Sequence, residues 1–318
     1  MEGISNSKEE RRKEGVSPLG RPADARYVKA GLGELPMHLM FLFARRFIAG
    51  ETLDEALPRV KWMKERGLFT TVDLLGESVY ETSRATKASQ EYVELVERLA
   101  SSGLDVNTSL KLTMLGLYIS RGVCNENVMR VIDAVRRHNG FLRVDMEGSD
   151  CTDATLELVR LWHSSYKGVG TVIQAMLKRS PADVEVLLKE GIGIRLCKGA
   201  YKEPPSIAFK DKRDVDAAYV RLAERLLTSG IYHAIATHDE RIIRHVIDFA
   251  NSRGIGKDAF EFQMLYGIRR ELQFRLVREG WRVRVYIPYG REWLKYTLRR
   301  LRERKENLFF VLKHLFTR

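Results

Sequence analysis

Cysteine is scarce in this chain. Cys124, Cys151 and Cys197 stand far apart without close metal-ligand spacing, which reads as reduced thiols in a cytoplasmic protein. Long apolar runs are missing as well. The patch LPMHLMFLFA at 35–44 is too short to span a bilayer and stops at Arg45 and Arg46, so an integral membrane protein is not expected. The opening run KEERRKEG is charged where a secretory leader requires an apolar segment. No GxGxxG follows any strand-like stretch, which argues against a doubly wound nucleotide-binding sheet. Neither a serine nucleophile elbow nor an HExxH is found, and His238 with Asp145 or Glu147 makes a poor metal set.

What is present is a chain of 318 residues, 44% hydrophobic and 30% charged, with enough apolar material for a sizeable core. Its formal charge of +12 favours anionic company: nucleic acid, an acidic membrane surface or an anionic ligand. Zinc-finger spacing, RNA-binding aromatics and a helix-turn-helix signature are all lacking, so a nucleic-acid-binding protein rests on charge alone and nucleic acid is not expected as a partner. That alternative would require affinity falling steeply with salt.

Residues 1–34 mix charge with turn formers and show no sustained period, as in a mobile arm. Residues 35–67 look helical, with Leu53, Ala56, Leu57, Val60 and Met63 at helical spacing and Gly67 as the stop. From there a strand and a helix alternate eight times. The strands are read over 69–76, 105–113, 141–147, 169–176, 193–199, 232–239, 260–267 and 282–287. Ser180 and Pro181 read as the cap and first residue of the fourth helix, and Pro288 as a strand breaker. Eight such units predict an α/β protein, a (βα)₈ TIM-type barrel over 68–306, followed by an apolar tail at 307–318.

Barrel chemistry sits where strands end, because those ends converge on one mouth. The strand-end positions hold Lys111, Asp145, Glu147, Gln174, Arg195, Lys198, Tyr201, Thr237, His238, Asp239, Glu261, Gln263 and Tyr286. Beyond Tyr286 the last helix carries Arg299 and Arg300 side by side, and a guanidinium matches a carboxylate or phosphate with two parallel hydrogen bonds. The set therefore suggests a pocket for a small anion with an apolar body. A Schiff-base enzyme of the class I aldolase type is a second reading. In it Lys111 or Lys198 is made nucleophilic by the neighbouring cations Arg195, Arg299 and Arg300, although an ion pair of Lys111 with Asp145 would keep that lysine protonated.

Several stretches in order along the chain resemble one family closely. They include RRFIAGETLDEAL, TVDLLGESV, SLKLTMLGL, RVDMEGSDCTDATLELV, IRLCKGAYKEP, ATHDERII, FEFQMLYGIRREL and RVYIPYGREWLKYTLRRLRER, spanning about 45 to 304. The family is proline dehydrogenase in its monofunctional bacterial form. The resemblance implies FAD bound across the barrel mouth, oxidation of L-proline to pyrroline-5-carboxylate, and electrons passed to a membrane quinone. It implies that Arg299 and Arg300 clamp the proline carboxylate, and that Tyr286 and Tyr201, with Leu196, wall the ring. Lys111 and Asp145 would stand at the amine side, and Arg195 against flavin N5, where a cation favours the reduced flavin. Gln174, Lys198, Gly199, Ala200, Thr237, His238, Glu261 and Gln263 match cofactor-contacting positions, and Glu303 would hold the last helix to the mouth by ion pairing. The chain departs from the family at Met114 (commonly glutamine), Gly148 (acidic), Met176 (tyrosine) and Cys197 (valine). A quinone acceptor gives a reason for peripheral membrane contact, and both the 307–318 tail and the 35–46 patch fit either a membrane interface or packing on the barrel.

Overall fold

A computed structural model describes residue 41 and residues 44–303, with side chains up to Arg300. The arm 1–34 and the tail 307–318 lie outside the described residues. Helix α1 (Leu53–Lys64) precedes eight strands: β1 (Phe69–Leu74), β2 (Asn107–Leu110), β3 (Phe141–Val144), β4 (Val169–Gln174), β5 (Ile194–Cys197), β6 (His233–Ala236), β7 (Phe260–Leu265) and β8 (Val283–Tyr289). They form one closed parallel barrel in sequence order. Each strand is followed by a helix: α2 (Thr82–Ser101), α3 (Arg121–Arg137), α4 (Thr152–Ser165), α5 (Ser180–Lys189), α6 (Lys212–Leu227), α7 (Glu240–Ser252), α8 (Arg270–Arg278) and α9 (Trp293–Glu303).

The helices start where the chain supplies caps. Thr52, Ser120, Asp211 and Asp239 each accept a first-turn N–H through a side-chain oxygen. Their apolar faces then close on the outer face of the strands. Leu95, Leu99, Val131, Val135, Trp162 and Tyr219 are all buried there, and truncating one of the leucines to alanine should cost about 2–5 kcal/mol.

Strand side chains alternate between faces, and here the inward face is polar. Thr71 and Ser109 share a hydrogen bond of 3.1 Å across neighbouring strands, and Ser109 accepts one from Arg195 at 2.8 Å. Arg195 then reaches Gln263, Gln263 reaches Glu261, and Glu261 receives Arg284. A cross-braced polar spine thus runs through the barrel from its floor, where strands begin, to its mouth.

The floor is closed by charge. Arg284 Nε donates to both Glu261 oxygens at 2.8 and 3.0 Å, and its Nη1 donates to Thr70 O and Asp105. Arg143 Nη1 donates to the carbonyls of Thr171 and Gly193 at 2.9 and 2.6 Å. Gly170 makes that approach possible, since a Cβ there would stand 2.8 Å from Arg143 Nη1 and 2.5 Å from Gly193 O.

Three expectations are corrected. Pro288 does not break β8; it sits in register with Asp73, and the strand runs on to Tyr289, because at the ladder's end only its carbonyl is needed, accepting from Ala49 N at 2.8 Å. Ser180 is the first residue of α5 and not its cap, since its hydroxyl donates to Gln174 O at 2.6 Å. Within the region expected to be helical, residues 45–52 form turns and bends, and α1 begins only at Leu53.

Candidate active site

The mouth is organised around a carboxylate that the strand-end reading passed over. Asp73, in β1, is fully buried and receives three donors: Lys111 Nζ at 3.0 Å, the Tyr286 hydroxyl at 2.5 Å and the Tyr92 hydroxyl at 3.2 Å. Asp145 follows β3 and accepts Arg195 Nη1 at 2.6 Å. Its other oxygen lies 3.3 Å from the Tyr286 hydroxyl and 3.9 Å from Lys111 Nζ. The guanidinium of Arg195 lies 5.5 Å from the Tyr286 ring centre. Two carboxylates, two cations and a phenol therefore share one buried cluster. Its members come from β1, β2, β3, β5 and β8, which explains why no short motif displays it.

The electrostatics of this cluster decide the role of Lys111. Burial works against its charged form, but Asp73 and Asp145 overcome that, and the amine is held above its ordinary value. The expected lowering by Arg195, Arg299 and Arg300 is overturned, because the two carboxylates raise the amine. Lys198 is no freer: its Nζ lies 2.5 Å from Asp216 and 3.2 Å from Asp239. A Schiff-base lysine must present a neutral amine, so the aldolase-type reading loses its nucleophile. Asp73 itself is raised, chiefly by burial, with Lys111 offsetting part of the shift. Tyr286 is pushed well up by burial and then by Asp73 and Asp145, which keeps it a neutral donor.

Arg299 comes from α9 and donates to Glu77 in the β1–α2 loop at 3.0 Å. It stands within electrostatic reach of Tyr201 and Tyr286, so the structure does bring it to the mouth. Arg300 lies with its guanidinium 5.2 Å from the Tyr296 ring centre. Tyr201, half-buried after β5, is pushed up by burial and senses Glu147, Lys111, Arg299 and Glu77. Leu196 is corrected: it faces the opposite side of β5 from Arg195 and lies in the core under the helices, so it cannot wall a pocket at the mouth.

Beside this cluster, the ends of β4 to β7 carry a second group. Gln174 Nε2 donates to Glu147 O at 2.9 Å, and its Oε1 accepts Ala200 N–H at 3.3 Å. Gly199 adopts φ +119°, and a Cβ there would collide with Met176. Thr237 Oγ1 accepts Asp239 N–H at 3.1 Å, and His238 Nε2 accepts Leu265 N–H at 2.9 Å. Gln263 lies deeper, receiving Arg195 Nε. Glu261 is again a correction: as the second residue of β7 it belongs to the floor, where Arg284, Gln263 and Tyr232 occupy its oxygens. Glu303 ends α9, and its side chain lies outside those described. Among the departures, Met114 and Met176 are buried, while Cys197 is half-buried against the main core, as a small apolar residue would be.

Residues 56–313 match the family described as proline dehydrogenase. The chain belongs to the proline dehydrogenase family. Proline dehydrogenase of Deinococcus radiodurans is 41% identical over 285 residues, covering 88% of this chain and 92% of that protein. Proline dehydrogenase 2 of Bacillus subtilis is 38% identical over 270 residues, covering 85% and 89%. Among solved structures, proline utilization A of Bdellovibrio bacteriovorus, inactivated by N-propargylglycine, superimposes with a TM-score of 0.80 at 30% identity. It covers 85% of this chain, which spans 33% of that longer protein. Family membership thus agrees with a closed barrel whose strand ends carry a buried charged cluster. Asp73 and Glu77 lie within TVDLLGESV, and an aspartate inside an otherwise uncharged strand was the available signal for the first of them.

Proposed function

We propose that this protein oxidises L-proline to 1-pyrroline-5-carboxylate with FAD bound across the barrel mouth, and that the electrons leave to a quinone. The observation that carries the reading is the cluster of Asp73, Lys111, Asp145, Arg195 and Tyr286, five buried or half-buried polar groups converging below a half-buried Arg299. Proline offers a carboxylate, an apolar ring and a secondary amine. Arg299, with Arg300 beside it, supplies the fork that a carboxylate matches. Tyr286 and Tyr201 supply aromatic walls. At the amine side, the Asp145 carboxylate holds the substrate nitrogen while Lys111, kept charged by Asp73, balances the local negative charge.

The reaction removes one hydrogen from the carbon beside nitrogen and one from nitrogen, leaving a C=N bond. FAD, when bound, supplies the two-electron acceptor. The chain's polar side chains fit such a group: Arg195 at the edge of the cluster, and Lys198, Thr237 and His238 around the next strand ends, a set suited to an anionic dinucleotide. Arg195 is fixed by Gln263, Asp145 and Ser109, so its charge is pre-set, a condition for tuning a cofactor electrostatically.

Handing electrons to a quinone is compatible with peripheral contact with a membrane; no helix among the described residues is long and apolar enough to cross one. The deciding experiment is the absorption spectrum of the purified protein before and after anaerobic L-proline. Flavin bands that bleach with proline support cofactor and substrate together. A colourless protein that FAD cannot reconstitute overturns the reading, and borohydride trapping of a lysine adduct would then restore the aldolase alternative. Reoxidation of the bleached enzyme by a soluble short-chain quinone, much faster than by dioxygen, tests the acceptor.

A further inference from the structure

Behind the mouth, outside the cluster just described, lies another buried carboxylate with an unusual set of partners. Glu147, just after β3, is 4% exposed, and both of its oxygens are given to one residue. Oε1 accepts the Thr113 N–H at 3.0 Å, and Oε2 accepts the Thr113 hydroxyl at 2.5 Å. Thr113, 1% exposed, passes the contact on. Its hydroxyl oxygen accepts the Ser78 N–H at 2.9 Å, and its carbonyl accepts the Val79 N–H at 3.0 Å. Ser78 adopts φ +61°, a left-handed conformation that a non-glycine residue keeps only when its surroundings impose it. The residue before it, Glu77, receives Arg299 at 3.0 Å.

We propose that Thr113 and Glu147 are positioning residues: they pin the strained β1–α2 turn so that Glu77 stands against Arg299 and aims it at the substrate. The inference rests on the reading above that Arg299 binds the substrate carboxylate. Its logic is one of committed hydrogen bonds. With its proton given to Glu147, the Thr113 hydroxyl turns a lone pair to Ser78, and the turn cannot relax without leaving buried partners unmet. A line of contacts therefore runs from β3 through β2 and the β1–α2 loop to α9, with only its last member touching substrate.

Glu147 also gives the arrangement a pH signature. Burial pushes its carboxyl up to about 7 against the two Thr113 hydrogen bonds; Lys111 lowers it, and Glu77 raises it. Tyr201, Cys124 and Cys151 face it too, each raised in turn by the Glu147 charge. A protonated Glu147 can no longer accept both bonds, so the hold on Glu77 weakens as pH falls through that region.

The test is the proline KM and kcat of the flavin-loaded enzyme between about pH 6 and 8.5. Thr113→Val should raise KM about 5- to 10-fold at pH 8, as loss of one to two buried hydrogen bonds implies, with kcat changed less than about twofold. Thr113→Ser, which keeps the hydroxyl, should restore wild-type KM. Combining Thr113→Val with Glu77→Gln should add nothing to Glu77→Gln alone, because both act through the same contact. The rise of KM on acidification should disappear in Thr113→Val, and in Glu147→Gln should Thr113→Val fail to fold. An unchanged KM in these variants beside a steep rise in Arg299→Met would overturn the positioning role and leave the carboxylate clamp standing, as would full additivity with Glu77→Gln. An unchanged KM in Arg299→Met would instead remove the clamp, and the positioning role with it.

Discussion

The floor and the mouth of the barrel each bury a carboxylate against a cation, yet the two carboxylates are driven in opposite directions. At the floor, burial opposes ionisation of Glu261, but Arg284, Gln263 and Arg143 overcome it and hold the carboxyl below its ordinary value. At the mouth, burial of Asp73 prevails, with Asp145 adding to it and Lys111 offsetting only part. The floor is a settled ion pair whose charges satisfy one another. The mouth keeps charge where it is disfavoured, as functional sites commonly do.

The comparison can be broken most forcefully at the floor. Glu261→Ala leaves Arg284 buried with only the half-exposed Asp105 as a counter-ion, so stability should fall by about 3–5 kcal/mol, read as a lower urea midpoint. Asp73→Asn keeps the side chain's shape and leaves Lys111 the Asp145 carboxylate at 3.9 Å, so it should cost less, about 1–3 kcal/mol by the same measurement, while turnover of proline falls steeply. Equal losses in the two variants would erase the distinction between floor and mouth.

Next in size is Arg299→Met. Losing a charged pair of hydrogen bonds worth about 3 kcal/mol should raise the proline KM on the order of 100-fold while the bound flavin spectrum stays intact. Normal proline kinetics would show that the clamp lies elsewhere. An effect of similar size separates the two ends by pH. The carboxyl of Glu147 is raised to about 7, so from the ordinary carboxylate range up to that value the folded state keeps a proton the unfolded chain has lost. Stability should therefore decline by about 3 kcal/mol as pH rises through this window, and Glu147→Gln should flatten the decline. Glu261, being lowered, has the opposite sign: its contribution is present above the ordinary carboxylate value and disappears as pH falls through its folded pKa. Smallest is Ser120→Ala, far from the charged spine. It removes a cap on the Val123 N–H and should cost about 1 kcal/mol without altering proline kinetics.

Much of this fold was legible, because each strand is a short run bounded by turn residues and each helix carries its own period and stop. The positions of Lys111, Asp145, Arg195 and Tyr286 at the mouth were legible as well, since strand ends point one way in a barrel, and Arg299 was marked by the paired arginines of the last helix. What escaped had physical causes. Glu261 was assigned to the mouth because its strand was read from the right residue but judged by its polar character, and position along the strand decides which end a side chain reaches. Asp73 escaped because three of its partners, Lys111, Tyr92 and Tyr286, come from separate elements. Glu77 escaped because its place depends on a left-handed Ser78 held by Thr113 from the next strand's end. Leu196 was misplaced by one step of a period of two.

The barrel closes where β1 meets β8, with Phe69 to Leu74 in register with Arg284 to Tyr289. The hydrogen bond from Tyr286 to Asp73 spans that seam, joining residues 213 positions apart. Contacts so distant along a chain form late in folding, because a long loop must be closed before they repay its entropy. A nascent chain lacking β8 therefore has no Tyr286 to hold Asp73 and no α9 to bring Arg299. The complete site therefore requires both the last strand and the helix after it, and a barrel that has not closed lacks both groups.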